Sequence, residues 1–168
     1  VDSGVAAMSE KVLAAIHAIS RGPLRYIVNT NERQDHTGGN DTIAPTGEIV
    51  PFREPDYLAG PQGALDTHRA SVVSFISVLN RMSAPTGTAP PRPETAWPDN
   101  TYTTPWKRLY FNGEAVVITH VPGTTDGNSV VLFRKSDVLS TGDLFDVTMY
   151  PRIDLKAGGS IQAEVDAL

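Results

Sequence analysis

The side chains best equipped for chemistry gather in one short stretch, Thr30-Asn31-Glu32-Arg33-Gln34-Asp35-His36-Thr37-Gly38-Gly39-Asn40. Asp35 and His36 supply a carboxylate and an imidazole, groups that hold metals, join hydrogen-bond networks or, for aspartate, cap a turn such as Gly38-Gly39. Arg33 lies two residues before Asp35, and its guanidinium stays charged at any relevant pH and repels a divalent cation. Asn31 offers only a neutral amide oxygen. Further along, Thr124 adds a hydroxyl, and Asp143, just after a short strand-like run, is the strongest single candidate for a polar site. Gly38-Gly39 is no phosphate cradle, because neither a Walker-type lysine nor a strand–Gly-x-Gly-x-x-Gly–helix context accompanies it. Serine and threonine are plentiful, yet no Gly-x-Ser-x-Gly elbow activates one as a nucleophile. Of the other histidines, His120 reads as structural on a strand, and His17 and His68 read as surface residues.

Helices and strands in alternation must position these groups. Val1-Asp2-Ser3-Gly4 reads as a strand end and a turn. Met8–Ser20 carries Val12, Leu13, Ile16 and Ile19 at helical spacing and stops at Gly22-Pro23. Leu24–Val28 is a short buried strand by composition, so the polar stretch leaves its C-terminal end, where ligands usually bind in open α/β sheets. Ile43–Gly63, broken by Pro45, Pro51, Pro55 and Pro61, reads as an irregular excursion. A polar helical turn around Leu65–Arg69, a strand at Ser71–Phe75 and a short helix at Val78–Met82 follow. Ala84–Pro105 contains Pro85, Pro90, Pro91, Pro93, Pro98 and Pro105 and is too broken for a regular element. It reads as a surface connection, or else as an extended partner-docking arm. Trp106–Phe111 and Ala115–His120 flank Asn112-Gly113, a two-residue hairpin signal. Ser129–Phe133 and Asp137–Ser140 are two more strands. Gly158-Gly159-Ser160 opens a helix at Ile161–Leu168 with Ser160 as its cap.

A chain of 168 residues makes one domain, spanning 1–168 with the proline-rich excursion at about 84–105. Hydrophobic residues at 40% and charged residues at 20% are ordinary for a globular protein. A net charge of −5 gives no electrostatic reason to expect nucleic acid or an anionic membrane surface as partner. No apolar run approaches the roughly 20 residues a membrane span needs. Without cysteine there is no disulfide, thiolate zinc site or iron–sulfur cluster. No signal peptide is visible, and the chain opens at Val1, which leaves an upstream segment as one reading.

Four segments, in order, resemble the motifs of the metallo-β-lactamase superfamily. Asp2-Ser3-Gly4 resembles the strand-end D-x-G. Thr30–Asn40 resembles the metal loop T-H-x-H-x-D-H-x-G-G-N, with Asn31 and Arg33 where its first two histidines belong. His120–Asn128 resembles H-x-P-G-H-T-x-G, with Thr124 in place of the third histidine. Leu139–Phe145 resembles L-x-T-G-D-x-F, whose aspartate corresponds to Asp143. Arg81–Gly87, Leu109–Ala115 and Tyr150–Gln162 are also similar to segments of a subgroup of extracytoplasmic metallohydrolases.

The resemblance implies an α/β fold, a four-layer αββα sandwich. The family's early β-hairpin region and its late Gly-His ligand motif are not among these residues, so the expected fold is the central, incomplete part of that sandwich. The resemblance also implies a three-histidine metal site whose positions are Asn31, Arg33 and Thr124, all replaced by weak or repelling groups. Asp35, His36 and Asp143 are the remaining ligand positions, expected as a vestige without metal. Arg33 is expected to bridge Asp35 and Asp143, which would otherwise repel each other. The implied function is a catalytically inactive member, without cofactor, acting as a structural or binding subunit alongside other protein subunits. The alternative is a residual hydrolase with one zinc or other divalent metal at Asp35, His36 and Asp143. A third reading is a fragment of a longer protein. The exported subgroup implies a periplasmic or other extracytoplasmic location.

Overall fold

Helix α1 (Ser9–Ile19) forms where the apolar spacing puts it, after one tight 3-10 turn at Ala6–Met8. Leu13 is buried from this helix, with Val12 packed beside it, while Ile19 in its last turn is 87% exposed. The computed structural model describes residues 1–48, 68–85 and 89–167. Most of the expected irregular segment Ile43–Gly63, and the turn at Leu65–Arg69 apart from its last two residues, lie outside them.

The first sheet is parallel, in the order β1 (Tyr26–Val28), β2 (Ser71–Phe75), β3 (Asn100–Tyr102). Val28 lies opposite Val73, and Phe75 opposite Tyr102. Strand β3 corrects the expectation that 84–105 holds no regular element. Asn100-Thr101-Tyr102 lies between Pro98 and Pro105, so three proline-free residues can pair along the sheet edge, where proline is tolerated. The buried Tyr102 hydroxyl then meets Ser129 Oγ at 2.8 Å. Val1–Gly4 forms a turn rather than a strand end: Asp2 takes a φ of 54°, and its N–H donates to Val28 O at 2.8 Å.

Three short helices leave the C-terminal side of these strands: α2 (Gln34–Thr37), α3 (Asn40–Ile43) and α4 (Ile76–Met82). The second sheet is antiparallel, in the order β4 (Trp106–Phe111), β5 (Glu114–His120), β6 (Ser129–Phe133), β7 (Val138–Ser140). Its first hairpin turns at Asn112 and Gly113, with φ of 52° and 74°, the left-handed pair that a two-residue connection requires. Helix α5 (Ile161–Ala167) begins as expected, with Ala163 N–H donating to Ser160 Oγ at 3.0 Å.

Two apolar layers hold this together. Leu13, Ile27, Ile43, Ala44, Ala70 and Val72 fill the space between the first sheet and its helices. Val28, Val73, Tyr102, Val116, Ile118 and Val131 fill the space between the sheets. Among the described residues the order helix, sheet, sheet matches part of the expected sandwich. No helix among the described residues is long and apolar enough to cross a membrane.

Candidate functional site

The polar stretch leaves β1 where the sequence placed it, and buried amides fix its path. Asn29 Nδ2 donates to His36 O and to Asn40 Oδ1, both at 3.2 Å, and Ser3 Oγ donates to the same Asn40 oxygen at 2.8 Å. Asn40 Nδ2 answers by donating to Asn29 Oδ1 at 2.8 Å and Ala96 O at 2.9 Å. Gly38 and Gly39 are required by close approach. A Cβ on Gly38 would lie 2.5 Å from Gln34 O, and one on Gly39 would collide with the carbonyl oxygen of Ser3. Their N–H groups donate to Gln34 O and Gly4 O, so Asp35 does not cap this turn.

At the centre, His36 lies between two carboxylates. Nδ1 meets Asp2 Oδ2 at 2.8 Å, and Nε2 meets Asp143 Oδ1 at 2.7 Å. Burial alone would lower the imidazole's pKa, but the hydrogen bonds and charges of Asp143 and Asp2 outweigh it and push the pKa up to about 10. Both ring nitrogens therefore carry protons and donate. Thr30 fixes Asp2 from the other side, with its N–H and Oγ1 donating at 2.8 Å each.

Asp143 gathers the remaining donors. Arg33 Nη1 donates to its Oδ2 at 2.6 Å, and Asn31 Nδ2 donates to the same oxygen at 3.1 Å. Arg33 Nη2 donates to Arg152 O, tying the later loop to the stretch. Burial would raise the Asp143 pKa, but His36, Arg33 and Asn31 hold it below the ordinary carboxylate value. Glu164 of α5 is buried, and burial followed by the charge of Asp143 raises its pKa.

Asp35 does not join this network. It is exposed on α2, one residue away from the inward-facing His36, and a helical step of about 100° turns neighbouring side chains to different faces. The expected Arg33 bridge therefore has one of its two ends: Asp143 is reached, while the second carboxylate of the network is Asp2. Thr124 is buried and donates to Asn128 Oδ1 at 3.1 Å. His120 is structural, stacked on Phe75 at 3.5 Å between ring centroids, with Nε2 at 2.7 Å from Asp126 O. His17 and His68 are exposed.

The donors present do not fit the two-metal centre that the motifs imply. Arg33 and Asn31 point N–H groups at Asp143, Thr124 is engaged elsewhere, and both His36 nitrogens face carboxylates. Among the described residues, no three His, Cys, Asp or Glu side chains are arranged to hold a metal ion. A groove of about 1070 Å³ opens beside Arg33, walled by Pro85, Pro90 and Pro91. Its floor is a second ion network that the sequence did not reveal. Arg81 grips Asp126 with contacts of 2.5 and 2.7 Å, lies 3.6 Å from Glu32, and donates to Ala157 O at 2.9 Å.

The family described as the Metallo-beta-lactamase superfamily matches residues 1–164. No curated protein matches the chain in sequence. Among solved structures, the BLEG-1 B3 metallo-beta-lactamase is 19% identical, with a TM-score of 0.65, covering 94% of this chain and 67% of its own. A metallo-beta-lactamase of Cronobacter sakazakii with a HARLDQ motif is 16% identical, with a TM-score of 0.60, covering 99% and 61%. A protein solved in a di-iron-bound form is 19% identical, with a TM-score of 0.58, covering 94% and 68%. At such identities the likeness is one of fold, and the chain spans 61–68% of the length of these three structures.

Proposed function

The chain belongs to the metallo-beta-lactamase superfamily, and from that premise we propose that it is a member without hydrolytic chemistry, serving as a structural or binding subunit of a larger assembly. The observation that carries this reading is the Arg33–Asp143 ion pair at 2.6 Å, with His36 bonded to the same carboxylate at 2.7 Å. Two carboxylates, Asp2 and Asp143, are balanced by two cations, Arg33 and His36. A guanidinium holds a carboxylate in place as a metal does, but it has no open coordination position at which to lower the pKa of water. The arrangement therefore organises the loops without activating a nucleophile.

A second reading, a hydrolase with one zinc or other divalent metal at Asp35, His36 and Asp143, has one observation in its favour. Set beside residues 31–36, the HARLDQ motif of the Cronobacter protein also has arginine third and aspartate fifth. Zinc titration by calorimetry separates the two. The wild type is expected to give no saturable heat, and the triple variant Asn31→His, Arg33→His, Thr124→His to bind about one zinc, since three imidazoles complete a site. Saturation of the wild type at one zinc, lost in Asp143→Ala, would establish the second reading instead. Protein rather than nucleic-acid partners are supported by the net charge of −5. An extracytoplasmic location is supported by the likeness of Tyr150–Gln162 to exported relatives.

A further inference from the structure

The groove beside Arg33 has walls whose backbone is already fixed. Arg92 lines it from the proline-rich segment, where its N–H donates to Met82 O at 2.8 Å and its carbonyl oxygen accepts from Trp97 Nε1 at 2.9 Å. Trp97 in turn packs beside Val78, Met82 and Ala96. Lys156 lines the groove from a different element, the tight turn Leu155–Ala157. Asp154 caps that turn, accepting from the N–H of Lys156 at 3.0 Å and of Ala157 at 3.1 Å. Ala157 O accepts from Arg81 Nη2 and from the Asp126 N–H, both at 2.9 Å. The Arg81–Asp126 pair on the groove floor therefore holds the turn that carries Lys156. His36, Thr124 and Asp143 do not line the groove, so it lies beside the ancestral metal position rather than over it.

Charge and size select the occupant. The carboxylates of the lining are engaged: Asp126 by Arg81, Glu32 by Arg81 at 3.6 Å and Thr125 Oγ1 at 3.3 Å, and Asp154 as the cap. Arg33 is spent on Asp143. Arg92 and Lys156 are different, since among the described residues neither side chain meets a carboxylate or another acceptor. Two unpaired cations on pinned backbone call for carboxylates from outside. The three acids of the lining oppose a polyanion such as nucleic acid and favour a ligand with a few separated charges. At about 1070 Å³ the groove stands at the upper limit of small-molecule sites, about 300–1,000 Å³, with room for a segment of chain. Pro85, Pro90 and Pro91 have no N–H to donate, so a ligand cannot add to this wall as a β-strand does. A proline-containing extended peptide needs no such ladder and loses little freedom on binding. We propose that the groove binds an extended, proline-containing acidic peptide of a partner protein, its carboxylates paired with Arg92 and Lys156. The inference rests on the binding role proposed above and gives that role a site and a partner chemistry.

Fluorescence anisotropy of two short labelled peptides, in which proline alternates with glutamate or with lysine, tests it on the full chain. The glutamate peptide is expected to bind saturably, and the lysine peptide at least about tenfold more weakly. The double variant Arg92→Ala, Lys156→Ala should bring the glutamate peptide down to the level of the lysine one. Arg134→Ala, which removes an exposed cation outside the groove, should leave binding unchanged. Thermal melts check that the fold is kept, as expected where the altered side chains have no partner to lose. Equal affinity for the two peptides, no saturable binding, or an equal loss in Arg134→Ala would overturn the proposal. So would displacement of the glutamate peptide by glutarate as readily as by its own unlabelled form, which would make a small dicarboxylate the occupant. Zinc uptake by the wild type would sink the reading of the metal site and leave a positive peptide result standing. Failure to bind either peptide would leave the metal result untouched.

Discussion

Arg33 meets Asp143 with both side chains 19% exposed, so the pair is screened by solvent only in part. Removing a cation from such a pair strands the carboxylate. Arg33→Met keeps the aliphatic stem and is expected to cost about 2–3 kcal/mol, below the range for fully buried pairs because this one is partly exposed. Urea denaturation measures it, and a cost indistinguishable from zero would mean that the pair organises nothing. His36 adds a pH signature in metal-free protein. Its folded pKa, pushed up to about 10, lies above the ordinary value of 6.5. A raised histidine contributes its full stability below the unfolded pKa and loses that contribution as pH rises through the folded one. The urea midpoint should therefore fall between pH 6.5 and 10 in the wild type and fall less in His36→Gln. Parallel pH profiles for the two proteins would show that the carboxylates do not hold the imidazolium.

The elements around these residues were legible in proportion to how local their causes are. Helix α1, the Asn112-Gly113 hairpin and the Ser160 cap each follow from a few neighbouring residues, and each forms. Strand β3 was hidden, because only three residues between two prolines form it and their pairing partner lies on β2. Site residues divide the same way. Asp143, His36 and Arg33 were visible through motif positions, whereas Asp2 bonds His36 from 34 positions away and no local pattern announces that contact. The outward turn of Asp35 and the Arg81–Asp126 pair, separated by 45 positions, were equally out of reach. Gly39 shows how tightly the elements close on one another, since a Cβ built on it would run into Ser3 O. Gly39→Ala should therefore destabilise by about 3 kcal/mol, the upper part of the range for overpacking. A loss under about 0.5 kcal/mol in urea denaturation, the level of a neutral surface change, would show that the loop can move aside.

The whole molecule combines a site whose charges close on themselves with a second sheet against whose outer face no described helix packs extensively. Its apolar outer face makes the isolated chain prone to associate non-specifically. Leu139→Lys should raise the concentration at which light scattering still finds a monodisperse solution, without lowering the melting temperature, because Leu139 is 54% exposed. An unchanged solubility limit would place the adhesive surface elsewhere. Three segments far apart in the chain, those of Asp2, Arg33 to His36 and Asp143, are tied together through His36 and Arg33, cations that belong to the chain itself. The metal count of the wild-type protein, taken by elemental analysis after dialysis against excess zinc and then buffer, addresses that arrangement directly. The expected result is far less than one zinc per chain; one or more per chain, lost in Asp143→Ala, would contradict it.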